Sequence, residues 1–280
     1  MIKADYHVHS AFSRDSQTPM ADQVKRAVEL GFQELCFAEH VDYGIAVDPS
    51  EDAPIVYLSG QPMVNVDYPA YFATLARLRQ EYADRIKIRG GLEFGVQVET
   101  IPQFEKLYHA YEDQLDFILL SCHQAEGKGF WTGEFQEGRT QQEYNEGYYD
   151  AIYHVMQNYK DYNILAHLDL IVRYDPAGVY PFAKIRDHVA AVLELAIADG
   201  KGIEINTSSW RYHLPDTQPS RDILKLYKDL GGKIITIGSD GHTTSQLGAH
   251  YEEAAAILRD EIGFPAIYTF EKGKPCGHKL

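Results

Sequence analysis

Six of the twelve histidines fall where short apolar runs of β-strand character end: His7, His9, His40, His123, His167 and His242. Carboxylates accompany them. Asp5 and Glu39 stand beside the first three, Asp15 and Glu93 occupy similar settings, and Asp240 precedes His242 by two residues. Imidazole and carboxylate without thiolate partners form a donor set suited to a hydrolytic centre holding more than one divalent ion. In Asp5-Tyr6-His7-Val8-His9 the two histidines share one face of a strand, so they can bind one ion or two adjacent ions. Asp240-Gly241-His242 repeats the spacing. Glu39 and His40 are neighbours on opposite faces, which makes His40 the expected ligand. Glu93 ends a strand after Gly90-Gly91-Leu92, and its two oxygens suit it to bridge two ions. Asp15, six residues after His9, reads on spacing alone either as a ligand folded back over the site or as a turn aspartate. Cys122 should face away from His123 into packing. His109, His154, His188, His213, His250 and His278 fall on helices, a loop and the tail, and read as structural or surface residues.

Two arginines follow strand ends. Arg173 comes after the run through His167, and Arg211 after Asn206-Thr207-Ser208-Ser209-Trp210. A guanidinium binds phosphate oxygens through two parallel hydrogen bonds, so the pair points to a phosphate monoester. The sequence has no Gly-rich loop ending in GK[ST] and no Gly-x-Ser-x-Gly elbow, which leaves metal-activated water as the simplest chemistry.

The elements that must carry these residues alternate. β-like runs occupy Ala4–His9, Glu34–His40, Ile86–Glu93, Asp116–His123, Ile164–Leu168, Gly202–Asn206 and Lys233–Ser239. Helical periodicity lies between them, most clearly over Ala183–Asp199. Val24–Leu30 and Ile223–Leu230 each stop at a glycine, Gly31 and Gly231. Thr18-Pro19 and Gln218-Pro219 should open helices, with proline in the first turn. Strand–helix alternation means parallel strands with helical crossovers, and seven runs suggest a seven-stranded relative of the (β/α)8 barrel. Closure is expected because the first and last strands both supply ligands. The connections Val41–Val66 and Gln124–Arg139 are long enough to shape a pocket. The tail Phe264–Leu280 should add an extended segment to the barrel edge. With no repeat or linker, the 280 residues read as one domain.

Bulk properties narrow the class. A net charge of −15 argues against a nucleic-acid partner, although metal ions and arginines can make one pocket positive on an acidic protein. Mean hydropathy is −0.34, and no apolar run is long enough to span a bilayer. The opening MIKADYHVH lacks a basic region followed by an apolar run, so no secretion signal is expected. Three cysteines, an odd and sparse set, suit a reducing cytoplasm.

Taken together, His7-Val8-His9, Glu39-His40, Gly91-Leu92-Glu93, Ser121-Cys122-His123, His167 and Asp240-Gly241-His242 resemble the polymerase-and-histidinol-phosphatase (PHP) superfamily, from residue 5 to residue 242. Phe12-Ser13-Arg14-Asp15, His167-Leu168-Asp169 and the Glu271-Lys272-Gly273-Lys274-Pro275 tail resemble its stand-alone histidinol-phosphate phosphatases of histidine biosynthesis. The resemblance implies a distorted (β/α)7 TIM-like barrel and three divalent ions, zinc, manganese or iron. One ion would take His7, His9, Glu93 and Asp240. A second would share Glu93 and take His123 and His167. The third would take Asp15, His40 and His242. Some members carry His where this chain has Asp15, which would change that site's affinity or metal preference. The implied reaction is hydrolysis of L-histidinol phosphate by a metal-bridging hydroxide. Arg173 and Arg211 would hold the phosphate, a metal-linked water or a nearby acid (Asp240 and His242 are the candidates) would protonate the leaving alkoxide, and Glu126 could pair with the cationic amine or imidazole of histidinol. The competing expectations are another PHP phosphoesterase acting on nucleotides or other small esters, a metal-dependent amide or lactone hydrolase, and a non-catalytic metal-stabilised module. The last is disfavoured because structural zinc sites saturate four ligands and prefer cysteine.

Overall fold

The computed structural model describes residues 2–50, 53–58 and 60–280. Seven strands lie in one sheet in chain order, each parallel to its neighbours: β1 (Ala4–Val8), β2 (Glu34–Val41), β3 (Lys87–Gly95), β4 (Phe117–Ser121), β5 (Ile164–Leu165), β6 (Gly202–Asn206) and β7 (Ile235–Gly238). Every residue of β2 is buried, as expected of a strand covered on both faces. The outer layer includes α1 (Met20–Glu29), α2 (Tyr68–Glu81), α3 (Ile101–Tyr111), α4 (Gln141–Asn158), α5 (Phe182–Ala198) and α6 (Arg221–Asp229). On α5 the buried residues are Ile185, Val189, Val192, Leu193 and Ala196, the stripe that a 3.6-residue period places against a sheet. No helix among the described residues is long and apolar enough to cross a membrane.

The sheet nearly closes, as the ligand-bearing first and last strands required. Val8 forms a parallel bridge to Gly241, and the His9 N–H donates to the Gly241 carbonyl at 3.0 Å. The Asp5 carboxylate ties the seam, accepting from the backbone N–H groups of Ser239 and Gly248, both at 2.9 Å. Burial pushes its pKa up to about 6 against those hydrogen bonds. Parallel register then levels the strand ends: His40 on β2 pairs with Glu93 on β3, and Glu93 pairs with Leu119 on β4.

Three expectations are corrected. The fifth run is a strand only over Ile164–Leu165, because the backbone leaves the sheet before His167, which adopts a φ of +24°. The prolines sit before their helices rather than in the first turn: Pro19 is the N-cap of α1, and Pro219 precedes the Ser220 N-cap of α6. The tail does not extend the barrel edge. Its strands β8 (Ala266–Glu271) and β9 (Lys274–Lys279) pair with each other as a hairpin beneath the barrel. There Phe270 packs against Tyr6 and Phe117, with ring centroids 6.2 and 5.0 Å away. Burying that aromatic side chain favours a plug over an added strand.

The two long connections rise at the opposite end. In Val41–Val66 the Asp48 carboxylate accepts from Tyr43 Oη at 2.8 Å, Asn65 Nδ2 at 3.0 Å and Tyr68 Oη at 2.9 Å, clasping the base of the loop. In Gln124–Arg139 a short hairpin pairs Gln124–Ala125 with Lys128–Gly129.

Candidate metal centre

The six strand-end histidines converge on one cluster, five of them buried and His242 part-buried, while the other six are exposed or part-buried and lie elsewhere. Glu93 stands at its middle, fully buried. Its Oε1 is 3.1 Å from His123 Nε2 and 2.9 Å from His167 Nε2. Its Oε2 is 3.2 Å from His7 Nε2, 3.6 Å from His9 Nε2 and 2.9 Å from His40 Nδ1. Asp240 Oδ1 is 3.4 Å from His9 Nε2 and 3.8 Å from His7 Nε2. Asp15 Oδ2 is 3.4 Å from His40 Nε2 and 3.2 Å from His242 Nε2. All nine candidate ligands therefore come together, including Asp15, for which spacing alone left two readings open.

The donor atoms fit divalent ions better than they fit each other. His7 Nε2, His9 Nε2, His40 Nδ1, His242 Nε2 and Glu93 Oε2 are buried with no aligned hydrogen bond. Buried polar atoms are rarely left in that state unless something else binds them. Several triads, His7/His9/Asp240, His7/Glu93/His167 and His9/His40/His242 among them, place their ligating atoms within 4.8 Å of one another. His9 is stacked between His40 and His242, with centroids 4.3 and 4.2 Å away. Burial and those two neighbours hold its pKa well below the usual imidazole range. Burial opposes charge on His7 as well, yet Glu204, Glu93 and Asp240 outweigh it and raise its pKa. For His123 the same contest, won by Asp42 and Glu93, pushes the pKa up to about 9. Burial disfavours charge on Glu93, but His7, His40 and His123 hold it ionised.

A further layer, missed in the sequence, aims the ligands. Glu204 Oε1 is 2.8 Å from His7 Nδ1, its Oε2 accepts from the His167 backbone N–H at 2.9 Å, and Gly238 makes room: a Cβ there would lie 2.0 Å from Glu204 Oε1. Asp42 Oδ1 is 2.7 Å from His123 Nδ1, across Gly95, whose Cβ would lie 1.8 Å from that oxygen. Ser13 Oγ is 3.1 Å from His9 Nδ1 and donates to Glu39 at 2.6 Å, so Glu39 supports a ligand while His40 faces the cluster. Such partners fix tautomer and ring orientation and raise ligand basicity. Arg14 was also missed, although its motif was noted. Its Nη2 lies 2.7 Å from Asp42 Oδ2, and its buried Nη1 has no hydrogen-bond partner. Cys122 is buried beside the cluster, as expected of a packing residue.

Above the ligand cluster opens a cavity of about 270 Å³. Arg173 lines it. Its Nε donates to Gln218 Oε1 at 2.7 Å, its Nη2 to Ser208 Oγ at 2.6 Å and Asp240 Oδ2 at 3.2 Å, and its guanidinium carbon lies 4.4 Å from the centroid of Tyr212. Arg211, the second arginine expected at the phosphate, stands behind the cavity-lining Asp240. Its guanidinium donates to the backbone carbonyls of Asp240 at 2.9 Å and Ser239 at 3.4 Å, where it steadies the strand end bearing Asp240. Glu126, expected near the cationic part of the substrate, lies further out. It adopts a φ of +55°, turns to the surface, and pairs with Arg139 Nη2 at 2.6 Å, outside the cavity lining.

Residues 5–208 match the family described as PHP domain. A histidinol-phosphatase of Lactococcus lactis subsp. lactis (strain IL1403) is 32% identical over 276 residues, covering 96% of this chain and 95% of the relative. A probable histidinol-phosphatase of Thermotoga maritima is 27% identical over 273 residues, covering 96% of each chain. Among solved structures, a histidinol phosphate phosphatase from Lactococcus lactis, complexed with zinc, L-histidinol and phosphate, matches with a TM-score of 0.83 and 29% identity over 98% of each chain.

Proposed function

The chain belongs to the PHP family, and from that premise we propose that it hydrolyses L-histidinol phosphate to L-histidinol and phosphate. The observation that carries the reading is the cluster of nine imidazole and carboxylate ligands, with buried unpartnered donor atoms, at the floor of a cavity lined by Arg173. The match to the Lactococcus lactis complex supports the same substrate.

His7, His9, Glu93 and Asp240 would hold one ion, Glu93 with His123 and His167 a second, and Asp15 with His40 and His242 a third. Glu93 suits the shared position because its two oxygens face different histidines. Zinc, manganese and iron all accept this donor set. When bound, such ions bring the pKa of water towards neutrality and neutralise charge on phosphoryl oxygens. Arg173, braced by Gln218, Ser208 and Tyr212, binds the phosphate without a search through rotamers. Asp240 and His242 line the same cavity and serve as the groups that handle the proton passed to the leaving alkoxide.

The test is phosphate release from L-histidinol phosphate by protein of known metal content. The expected result is a kcat/KM at least about 100-fold above that for generic phosphate esters. Weak, uniform hydrolysis of every ester would overturn the substrate assignment while leaving the metal centre in place.

A further inference from the structure

We propose that Trp131 sets the specificity of the cavity by receiving the imidazole ring of the leaving group, an inference that rests on the histidinol phosphate reading. The chain has two tryptophans, and they differ in one respect. Trp210 is stacked on His250, with centroids 5.0 Å apart and planes 7° from parallel. Trp131 has no ring partner among the described residues, although it is 38% exposed and lines the metal cavity. An indole held at the mouth of a site with no ring stacked on it lacks a planar partner, and a heteroaromatic ring supplies one.

The indole is held there by its own loop. The hairpin of Gln124–Ala125 and Lys128–Gly129 follows directly on His123, so a metal ligand and the indole share one short segment. A Cβ on Gly129 would lie 3.0 Å from Trp131 Cη2 and Cζ3, so the ring rests on bare backbone. Phe130, next in the chain, is buried and packs edge-on against Phe135 at 5.0 Å. Thr132 Oγ1 donates to the Gly129 carbonyl at 3.0 Å and closes the turn.

The other aromatic walls are already engaged. Arg173 covers Tyr212 at 4.4 Å, and its charge also acts on the nearby Tyr174 hydroxyl, opposing the burial that raises its pKa. That guanidinium would repel a protonated imidazole, whereas the π-face of an indole attracts one. Leu58 and Met63, from the connection between β2 and α2, supply apolar surface on the same cavity wall. The site thereby divides into a phosphate end at Arg173 and the ligand cluster, and a ring end at Trp131.

The experiment compares kcat/KM for L-histidinol phosphate with that for O-phosphoethanolamine, the same aminoalkyl phosphate without the imidazolylmethyl group. Wild type, Trp131→Phe and Trp131→Ala are assayed at matched metal content. The preference for L-histidinol phosphate should fall roughly tenfold in Trp131→Ala, chiefly through KM, and recover largely in Trp131→Phe. In a Trp210→Phe background, L-histidinol should change the emission of Trp131, and ethanolamine should not. Equal losses on both esters would assign Trp131 a structural role and overturn the proposal. A preference that survives Trp131→Ala overturns this assignment alone, whereas a wild type with no preference overturns it together with the histidinol phosphate reading.

Discussion

Both ends of the barrel bury charge, but they treat it differently. At the N-terminal end Tyr6 Oη donates to Glu34 Oε1 at 2.5 Å, and Arg89 bridges Glu34 at 2.8 Å to Glu271 at 3.0 Å. Asp116 accepts from Arg79, from the Gly90 N–H and from the Lys272 N–H. Each group there has a partner, and the C-terminal hairpin covers them. At the other end His7, His9, His40, His242 and Glu93 each keep a buried donor or acceptor atom without an aligned hydrogen bond. Satisfied polarity holds the plug to the barrel; unsatisfied polarity is kept in place by Glu204, Asp42 and Glu39 for an ion to use. The contrast follows the usual division of such barrels, with chemistry at the C-terminal ends of the strands and stability at the other.

Glu93→Ala strikes the centre of the unsatisfied end. Activity should fall roughly 10³-fold or more, since several kcal/mol of charge stabilisation goes with the ions it helps to hold. Elemental analysis should show more than one ion lost per chain, and full metal content would remove the bridging role. Arg89→Leu strikes the satisfied end. It should cost about 2–3 kcal/mol of stability in denaturant unfolding, below the full value for a buried pair because Tyr6 still donates to Glu34. Its kcat/KM should stay near wild type, and a selective loss of activity would erase the distinction between the two ends. The smallest effects separate cavity from rim. Arg211→Ala should lower kcat/KM less than Arg173→Ala does, because the Arg211 guanidinium is engaged by the carbonyls of Asp240 and Ser239. Glu126→Ala should stay within about 0.5 kcal/mol, near twofold. A large KM rise for L-histidinol phosphate in Glu126→Ala would bring that carboxylate back to the substrate.

Much of this was legible in the chain because strand geometry is local. Alternation put His7 and His9 on one face, and seven runs interleaved with helices specified parallel strands whose ends meet. The types and positions of the candidate ligands were therefore readable one residue at a time. What only the tertiary structure decided depends on contacts between distant residues. Glu204 meets His7 from 197 positions away, and Asp42 meets His123 from 81. Arg173 and Arg211 look alike in sequence, both following a strand end. One is turned into the cavity by Gln218 and Ser208, and the other is captured by two backbone carbonyls. The tail became a plug because the barrel's lower end offered Tyr6 and Phe117 to an aromatic side chain, a partnership that no local pattern in residues 264–280 encodes. Residue type and period thus determined which groups could do chemistry and at which end of the barrel. Long-range hydrogen bonding and packing decided which of them face the substrate, because the direction of a side chain beyond a strand end is set by whatever the fold brings against it.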